Sequence, residues 1–135
     1  MSSAEEAIEA AILGALEADA GVRALLGEPL RVLRRGSPAP AYPYLEIARH
    51  VSEPAAAAGV EASAHRVDLV VVGRSDDDLD GVRAIAAMRS ALAGVLPAMT
   101  GWQCVLIAPA FSDTLNQGRG VWRAILRMRA VVEPV

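Results

Sequence analysis

Apolar residues and arginines alternate through the C-terminal stretch GRGVWRAILRMRAVVEPV, residues 118–135. A repeat of two residues is typical of a β-strand with two different faces. One face, which carries Trp122, Ala124, Leu126 and Met128, requires a hydrophobic core. The opposite face carries arginines interleaved with aliphatic residues: Arg123, Ile125, Arg127, Arg129 and Val131. The fold must therefore bury one side of this strand and present arginines on the other.

The other periodicities predict an α+β fold. Helices are expected over 4–18, with the S-x-x-E capping box of Ser3 and Glu6, and over 76–93; one or two further helical turns cover 22–27. Valine runs without interruption through 70–72, which indicates a strand buried on both faces. Strands are predicted at 30–35, 44–51, 64–74, 102–108 and 119–132. We expect a single domain over 1–135, in which two helices pack on one face of a mostly antiparallel, five-stranded sheet.

Composition limits the kind of site that this domain can carry. Apolar residues make up 53% of the 135 residues, and the formal net charge is −3, which disfavours binding to a polyanion. The single cysteine, Cys104, excludes an intrachain disulfide and a cysteine-based zinc site. The N-terminus has no secretory signal and no apolar stretch is long enough to span a membrane, so we expect a soluble protein made in the cytoplasm.

The motifs that resemble catalytic or metal sites are incomplete. DDDLDG, residues 76–81, opens like a calcium-binding loop, but Ala87 stands where the loop requires glutamate. His50 and His65 could approach each other across a hairpin, yet no further ligand falls at a spacing that completes a metal site. We predict no catalytic, cofactor-binding or metal-binding residues, and expect a structural or interaction module rather than an enzyme.

Two surfaces are candidates for contact with other proteins. We expect the arginine face to meet a neighbouring subunit, because arginine is enriched at interfaces and pairs bidentately with carboxylates. The alternative for this face is simple solvation. A long hairpin loop, residues 52–63, is predicted to bind a partner because small and turn-forming residues occupy it. The interface residues are Arg119, Arg123, Ile125, Arg127 and Arg129, with Asp76, Asp77 and Asp78 as acceptors; the loop residues are Glu53, Pro54, Gly59 and Glu61.

The order of these blocks resembles the tail terminator, or tail completion, family of long-tailed phages and gene transfer agents. Five segments carry the resemblance: ALEADAGVRALLG, PAPAYPYLEI, HRVDLVVVGR, GVRAIAAMRSALAG and the final GRGVWRAILRMRAVVE. Together they cover the chain from about Glu9 to Glu133. Residues 52–63 are richer in alanine than is usual for the family.

The resemblance implies a structural virion protein without catalytic residues. It implies a homohexameric ring that caps the tail tube and joins it to the head-side connector, or stopper, protein, with DNA passing through the lumen without specific binding. Two other classes stay open beside it. A small α+β ligand-binding or enzymatic domain would need polar groups that converge on a pocket, and nucleic-acid binding through the arginine strand conflicts with the acidic total.

Overall fold

The computed structural model describes residues 2–55, 61–77, 79–94, 96 and 99–135. Three helices and four strands follow one another along the chain. They are α1 (Ala4–Glu17), α2 (Ala20–Leu26), β1 (Tyr44–Pro54), β2 (Ser63–Arg74), α3 (Asp80–Ala91), β3 (Trp102–Asn116) and β4 (Val121–Pro134). The sheet order is β1-β2-β4-β3, and every neighbouring pair is antiparallel. None of the described helices combines the length and apolar character needed to cross a membrane.

The fold class was predicted, but the inventory of elements was partly wrong. The sheet has four strands rather than five, because segment 30–35 contributes only an isolated parallel bridge between Val32 and Leu45. The helices number three, since 20–26 forms a short helix of its own. Residues 109–116, predicted as loop, continue β3 to Asn116 although Pro109 cannot donate a ladder hydrogen bond.

Local sequence signals explain where the helices begin. Ser3 caps α1, since its Oγ accepts a hydrogen bond from the Glu6 backbone N–H at 3.1 Å, and Asp19 caps α2 in the same way. Helix α3 starts at Asp80, four residues later than predicted, with Leu79 at its N-cap and no side-chain cap. Ser75 is not the cap, because its hydroxyl donates to Asp80 Oδ2 at 2.6 Å.

The core lies between the helices and one face of the sheet. Alternate residues of β4 are buried, as the repeat of two predicted, and they pack with the same-facing residues of β2. All three helices contribute to this one cluster, through Ile8, Ile12 and Leu16 of α1, Val22 and Leu26 of α2, and Ala84, Ile85 and Met88 of α3. The helices therefore cover one face of the sheet only, which we call the core face; the other is the outer face.

Gly73 shows how closely Trp122 packs on the neighbouring strand of the sheet. It lies opposite Trp122 in the β2–β4 ladder, and a Cβ added there would overlap the indole ring. The indole N–H in turn donates to Ser75 Oγ at 3.3 Å. A residue without a side chain is therefore required where the chain leaves β2 for α3.

Candidate functional site: the outer face of the sheet

The outer face gathers arginines from three strands. In the β2–β4 register, Arg66 lies opposite Arg129 and Asp68 lies opposite Arg127. Arg49 of β1 lies on the other side of Asp68. Because strand alternation sends these side chains away from the helices, guanidinium groups cluster at the middle of the outer face.

Arg127 is held in place by two contacts within the chain. Its Nε donates to Asp68 Oδ1 at 2.7 Å and its Nη2 donates to Asp68 Oδ2 at 3.3 Å. The guanidinium carbon lies 5.4 Å from the ring centroid of Phe111 on β3, within the range of a cation–π contact. The hydrogen bonds and the charge of Asp68 raise the pKa of Arg127. The side chain is therefore a fixed element of the surface.

Arg49, Arg66 and Arg129 lack such a partner. Within the described part of the chain, none of the three has a carboxylate oxygen within 4.0 Å. Arg66 and Arg129 lie directly opposite each other in the ladder. Like charges in such positions destabilise the pairing of two strands. The middle of the outer face thus carries more arginines than carboxylates, and an acidic surface would neutralise the difference.

Apolar side chains border this arginine cluster along β3. Leu106, Phe111 and Leu115 point to the outer face by register, opposite Val131, Arg127 and Arg123, and each is more than 40% exposed. Large exposed hydrophobic residues beside arginines are typical of protein interfaces. Ile125 completes the row in the centre, paired with Val70, which is only 2% exposed.

The predicted interface residues do not all lie on this face. Arg123, Ile125, Arg127 and Arg129 do, whereas Arg119 lies in the β3–β4 turn. The turn places it between two glycines, with φ of +56°. That left-handed conformation is uncommon for a residue with a side chain, and Arg119 is exposed there.

The acidic stretch lies at the same end of the sheet and is partly neutralised there. Asp77 accepts from the Leu79 backbone N–H at 2.9 Å and from Arg83 Nη1 at 2.7 Å, and these two hydrogen bonds lower the pKa of its carboxyl. Asp80 contacts the same guanidinium at 3.2 Å. Asp76 is exposed, while Asp78 lies outside the described residues. Asp76 is therefore the carboxylate best placed for a contact with another chain.

The hairpin between β1 and β2 is shorter than predicted, because both strands continue into it. Glu53 and Pro54 belong to the end of β1, Glu61 precedes β2, and Gly59 lies outside the described residues. A cavity of about 570 Å³ opens at the base of the hairpin beside α1. Its lining includes three carboxylates, the indole of Trp102 and small residues: Ser3, Ala4, Glu5, Ser52, Glu53, Pro54, Glu61, Ala62, Ser63 and Trp102.

A chain of hydrogen bonds on the core face was not predicted. Glu9 Oε2 lies 2.7 Å from His50 Nδ1, His50 Nε2 lies 2.7 Å from His65 Nδ1, and His65 Nε2 lies 2.7 Å from Ser63 Oγ. With both rings neutral, every donor finds an acceptor in the direction Ser63 to His65 to His50 to Glu9. The sequence indicated that the two histidines lie on consecutive strands. It did not indicate their contact with the carboxylate of Glu9, which lies far away along the chain on α1.

Among these four hydrogen-bonded residues, His65 is the buried one, with no exposed surface. Burial, and then the neighbouring His50, lower its pKa, while Glu5 acts in the opposite direction. The described residues contain no group of three or more histidine, cysteine or acidic side chains arranged to hold a metal ion. The histidines satisfy each other's hydrogen bonds and fasten α1 to β1 and β2.

Comparison with known proteins identifies the family of this fold. The family model of the tail completion protein gp17 matches residues 10–133, which is nearly the whole chain. The chain belongs to this tail completion family. A tail completion protein is a structural component of a phage-like particle, and the chain is assigned to the tail of such a particle.

A solved structure shares the fold of this tail completion protein. It is a chain from the "Virion of native gene transfer agent (GTA) particle", with a TM-score of 0.82 and 24% sequence identity. The superposition covers 98% of this chain and 99% of that one. No curated protein matches the chain. The helices and the four-stranded sheet therefore share the fold of that chain.

Proposed function

We propose that this tail completion protein forms a homohexameric ring that ends the tail tube and joins it to the head-side connector. Membership of the tail completion family supports a role at the end of a tail. The outer face supports assembly, because it combines arginines that lack carboxylate partners in the described chain with exposed Leu106, Phe111 and Leu115. DNA passes through the ring without a sequence-specific contact.

The outer face is proposed to contact protein, with carboxylates of a neighbouring subunit as acceptors. A ring requires heterologous contacts, in which one patch meets a different patch. Asp76 is exposed at one end of the sheet, whereas Arg129 and Arg66 lie along its outer face. Asp76 therefore does not neutralise these two arginines within its own subunit. Arg127 contributes by keeping Phe111 and Asp68 in position rather than by offering a spare charge.

A pair of arginine reversals tests this proposal. Arg123→Glu/Arg129→Glu changes the outer face without touching the Arg127–Asp68 pair. Arg34→Glu/Arg35→Glu is the matched control, since these exposed arginines precede β1 in a loop and change the net charge equally. Particles made with the outer-face variant should show heads and tails that fail to join in electron micrographs, while control particles stay joined. Equal joining in both would remove these arginines from the interface.

The hairpin 52–63 is proposed to contact the tail tube or the connector. The cavity at its base, beside Trp102 and Pro54, offers apolar surface edged by Glu5, Glu53 and Glu61. Such a surface suits a partner segment that carries a basic residue among apolar ones. Deleting residues 55–59 should leave the melting temperature of the domain nearly unchanged and reduce joining. Particles that assemble normally and carry DNA would reduce the hairpin to a spacer.

We propose a structural rather than a catalytic role. Three of the polar side chains at the cavity are bound within the chain: Ser52 Oγ donates to Glu5 Oε1 at 2.8 Å, and Ser63 Oγ is hydrogen-bonded to His65 Nε2. A ligand-binding or catalytic pocket requires polar groups that converge on a guest molecule. The hydrogen bonding of these residues supports the structural role over the alternative of a small ligand-binding or enzymatic domain.

A further inference from the structure

Strand β3 forms an edge of the sheet. Among the described residues it has β4 as its one ladder partner, and every residue from Pro109 to Asn116 is exposed. Val105, Leu106, Phe111 and Leu115 are 42–59% exposed on this strand. An edge strand offers its free backbone N–H and C=O groups to another strand. Pairing there would also reduce the exposure of these four apolar side chains.

The opposite edge, β1, is covered at its beginning and open further along. The Leu33 N–H donates to the Leu45 carbonyl at 2.8 Å, and the Leu45 N–H donates to the Arg31 carbonyl at 2.9 Å. Beyond the irregularity between Ile47 and Arg49, residues 49–53 have β2 as their one ladder partner among the described residues. Each subunit thus has one bare edge on β3 and a shorter bare edge on β1.

We propose that residues 111–113 of β3 pair with residues 49–51 of β1 of a second copy, so that the sheet continues from subunit to subunit. The proposal rests on the ring proposed above and names the surface that closes it. Because β1 and β4 run one way and β2 and β3 the other, a copy in the same orientation presents β1 antiparallel to β3. The contact is heterologous, as a ring requires.

Charge and shape select one register for this pairing. In an antiparallel ladder with Arg49 opposite Asp113, Val51 lies opposite Phe111, and all four side chains point to the outer face by their registers within the subunit. Neither Arg49 nor Asp113 has an oppositely charged group within 4.0 Å among the described residues. The register ends at the irregularity between Pro109 and Phe111, beyond which Pro109 faces the helices while Glu53 faces outward.

The pairing also explains why Phe111 and Arg127 are stacked. Phe111 is 49% exposed, although its ring lies beneath the guanidinium of Arg127. Val51 of the second copy would pack on the remaining surface of the ring, and aromatic–β-branched pairs stabilise sheets. Asp68 fixes Arg127, Arg127 stacks on Phe111, and Phe111 receives the next subunit. The arginine face and the strand edge are thus parts of one junction.

Charge exchange tests the register. Arg49→Asp and Asp113→Arg should each weaken self-association by about tenfold, because each places like charges opposite one another. The double variant should recover most of the loss. Glu17→Arg and Arg35→Asp serve as controls, since both residues are exposed and lie outside the strands. Sedimentation equilibrium measures the association constant. Equal effects of the single variants and the controls, or no recovery in the double variant, would overturn the proposal.

Covalent capture tests the same contact independently. In a Cys104→Ser background, Val51→Cys combined with Phe111→Cys should give a ladder of disulfide-linked multimers after mild oxidation. Either cysteine alone should give no species larger than a dimer. A wild-type chain that stays monomeric at about millimolar concentration, or assembled copies that yield no ladder, would contradict the pairing.

Failure of this inference and failure of the proposed function give different results. If the edges do not pair but deletion of the chain still leaves heads and tails unjoined, the tail completion role stands and the subunits meet through another surface. If β3 instead captures a strand of a different tail protein, the ladder is absent and Phe111→Cys cross-links to that protein. That result overturns pairing between copies.

Discussion

The two faces of β2 and β4 are built from the same strands and satisfy different demands. On the core face, Leu69, Leu126 and Met128 are buried among the helices, and His65 is buried with its hydrogen bonds made. On the outer face, Arg66 and Arg129 lie opposite each other with like charges. The core face is packed within one chain, whereas the outer face is the surface that we propose to contact other molecules. Substitutions on the two faces should therefore affect different measurements.

The largest effect on stability is expected from a core-face truncation. Leu126 has no exposed surface, so Leu126→Ala leaves a cavity in the core. The substitution should lower the free energy of unfolding by about 2–5 kcal/mol. Ile125→Ala, its neighbour on the outer face, should cost less than about 1.5 kcal/mol. Urea denaturation of both variants measures the difference. Equal losses of unfolding free energy in the two variants would mean that the outer face contributes as much to stability as the core face.

A methyl group at the tightest core-face contact should also be costly. Gly73→Ala places a Cβ into the indole ring of Trp122, so we expect a loss of about 1–3 kcal/mol. Gly14→Ala is the control, since nothing lies within 4 Å of a Cβ there and a helix interior favours alanine by about 1 kcal/mol. Opposite signs of the two changes in thermal denaturation would confirm the close packing of β2 on β4.

Lowering the pH should destabilise the contacts of the core face before those of the outer face. The folded chain lowers the pKa of His65, so the unfolded chain binds more protons once the pH falls below the usual histidine value of about 6.5. Stability should fall as the pH is lowered from 7 towards 5. Below that, the lowered pKa of Glu5, caused first by its hydrogen bond with Ser52, adds a further loss as its carboxylate is protonated.

A variant separates this dependence from general acid effects. His65→Leu should cost about 1–3 kcal/mol at pH 7, since it leaves His50 Nε2 and the Ser63 hydroxyl without a partner. It should also flatten the decline of stability between pH 7 and 5. A decline as steep as in the wild type would mean that His65 does not carry the dependence.

The smallest effect on stability is expected from the ion pair of the outer face. Asp68→Asn removes a carboxylate that Arg127 holds at 2.7 Å, yet the arginine side chain is about one-third exposed, so the loss should be about 0.5–1 kcal/mol. Asp113→Asn should leave stability unchanged. Self-association should weaken in both. If Asp68→Asn reduces stability strongly and leaves assembly intact, the outer face is part of the fold rather than an interface.

Strand alternation made the core of this molecule predictable, and tertiary contacts made the rest unpredictable. The repeat of two in β4 identified its buried residues because burial follows side-chain direction. The same pattern misassigned segment 30–35, which reaches the sheet only at Val32. The strand predicted at 102–108 was too short, because an edge strand with irregular registers tolerates Pro109 and continues to Asn116.

The candidate site was predictable in its residue types and not in its partners. Alternation placed Arg123, Ile125, Arg127 and Arg129 on one face, as the structure has them. Arg127 pairs with Asp68 because of the cross-strand register. Asp77 pairs with Arg83 because α3 starts late. The histidine chain required Glu9, which the fold brings to the hairpin from another layer. Spacing along a sequence does not encode such distances.

The number of strands has a consequence for how this family can change. With four strands that alternate in direction, the first and last point opposite ways, and identical neighbours can join edge to edge without any of them turning over. A fifth strand at one end would make every seam parallel, with a different hydrogen-bond geometry. Relatives that assemble through these edges should therefore gain or lose strands two at a time.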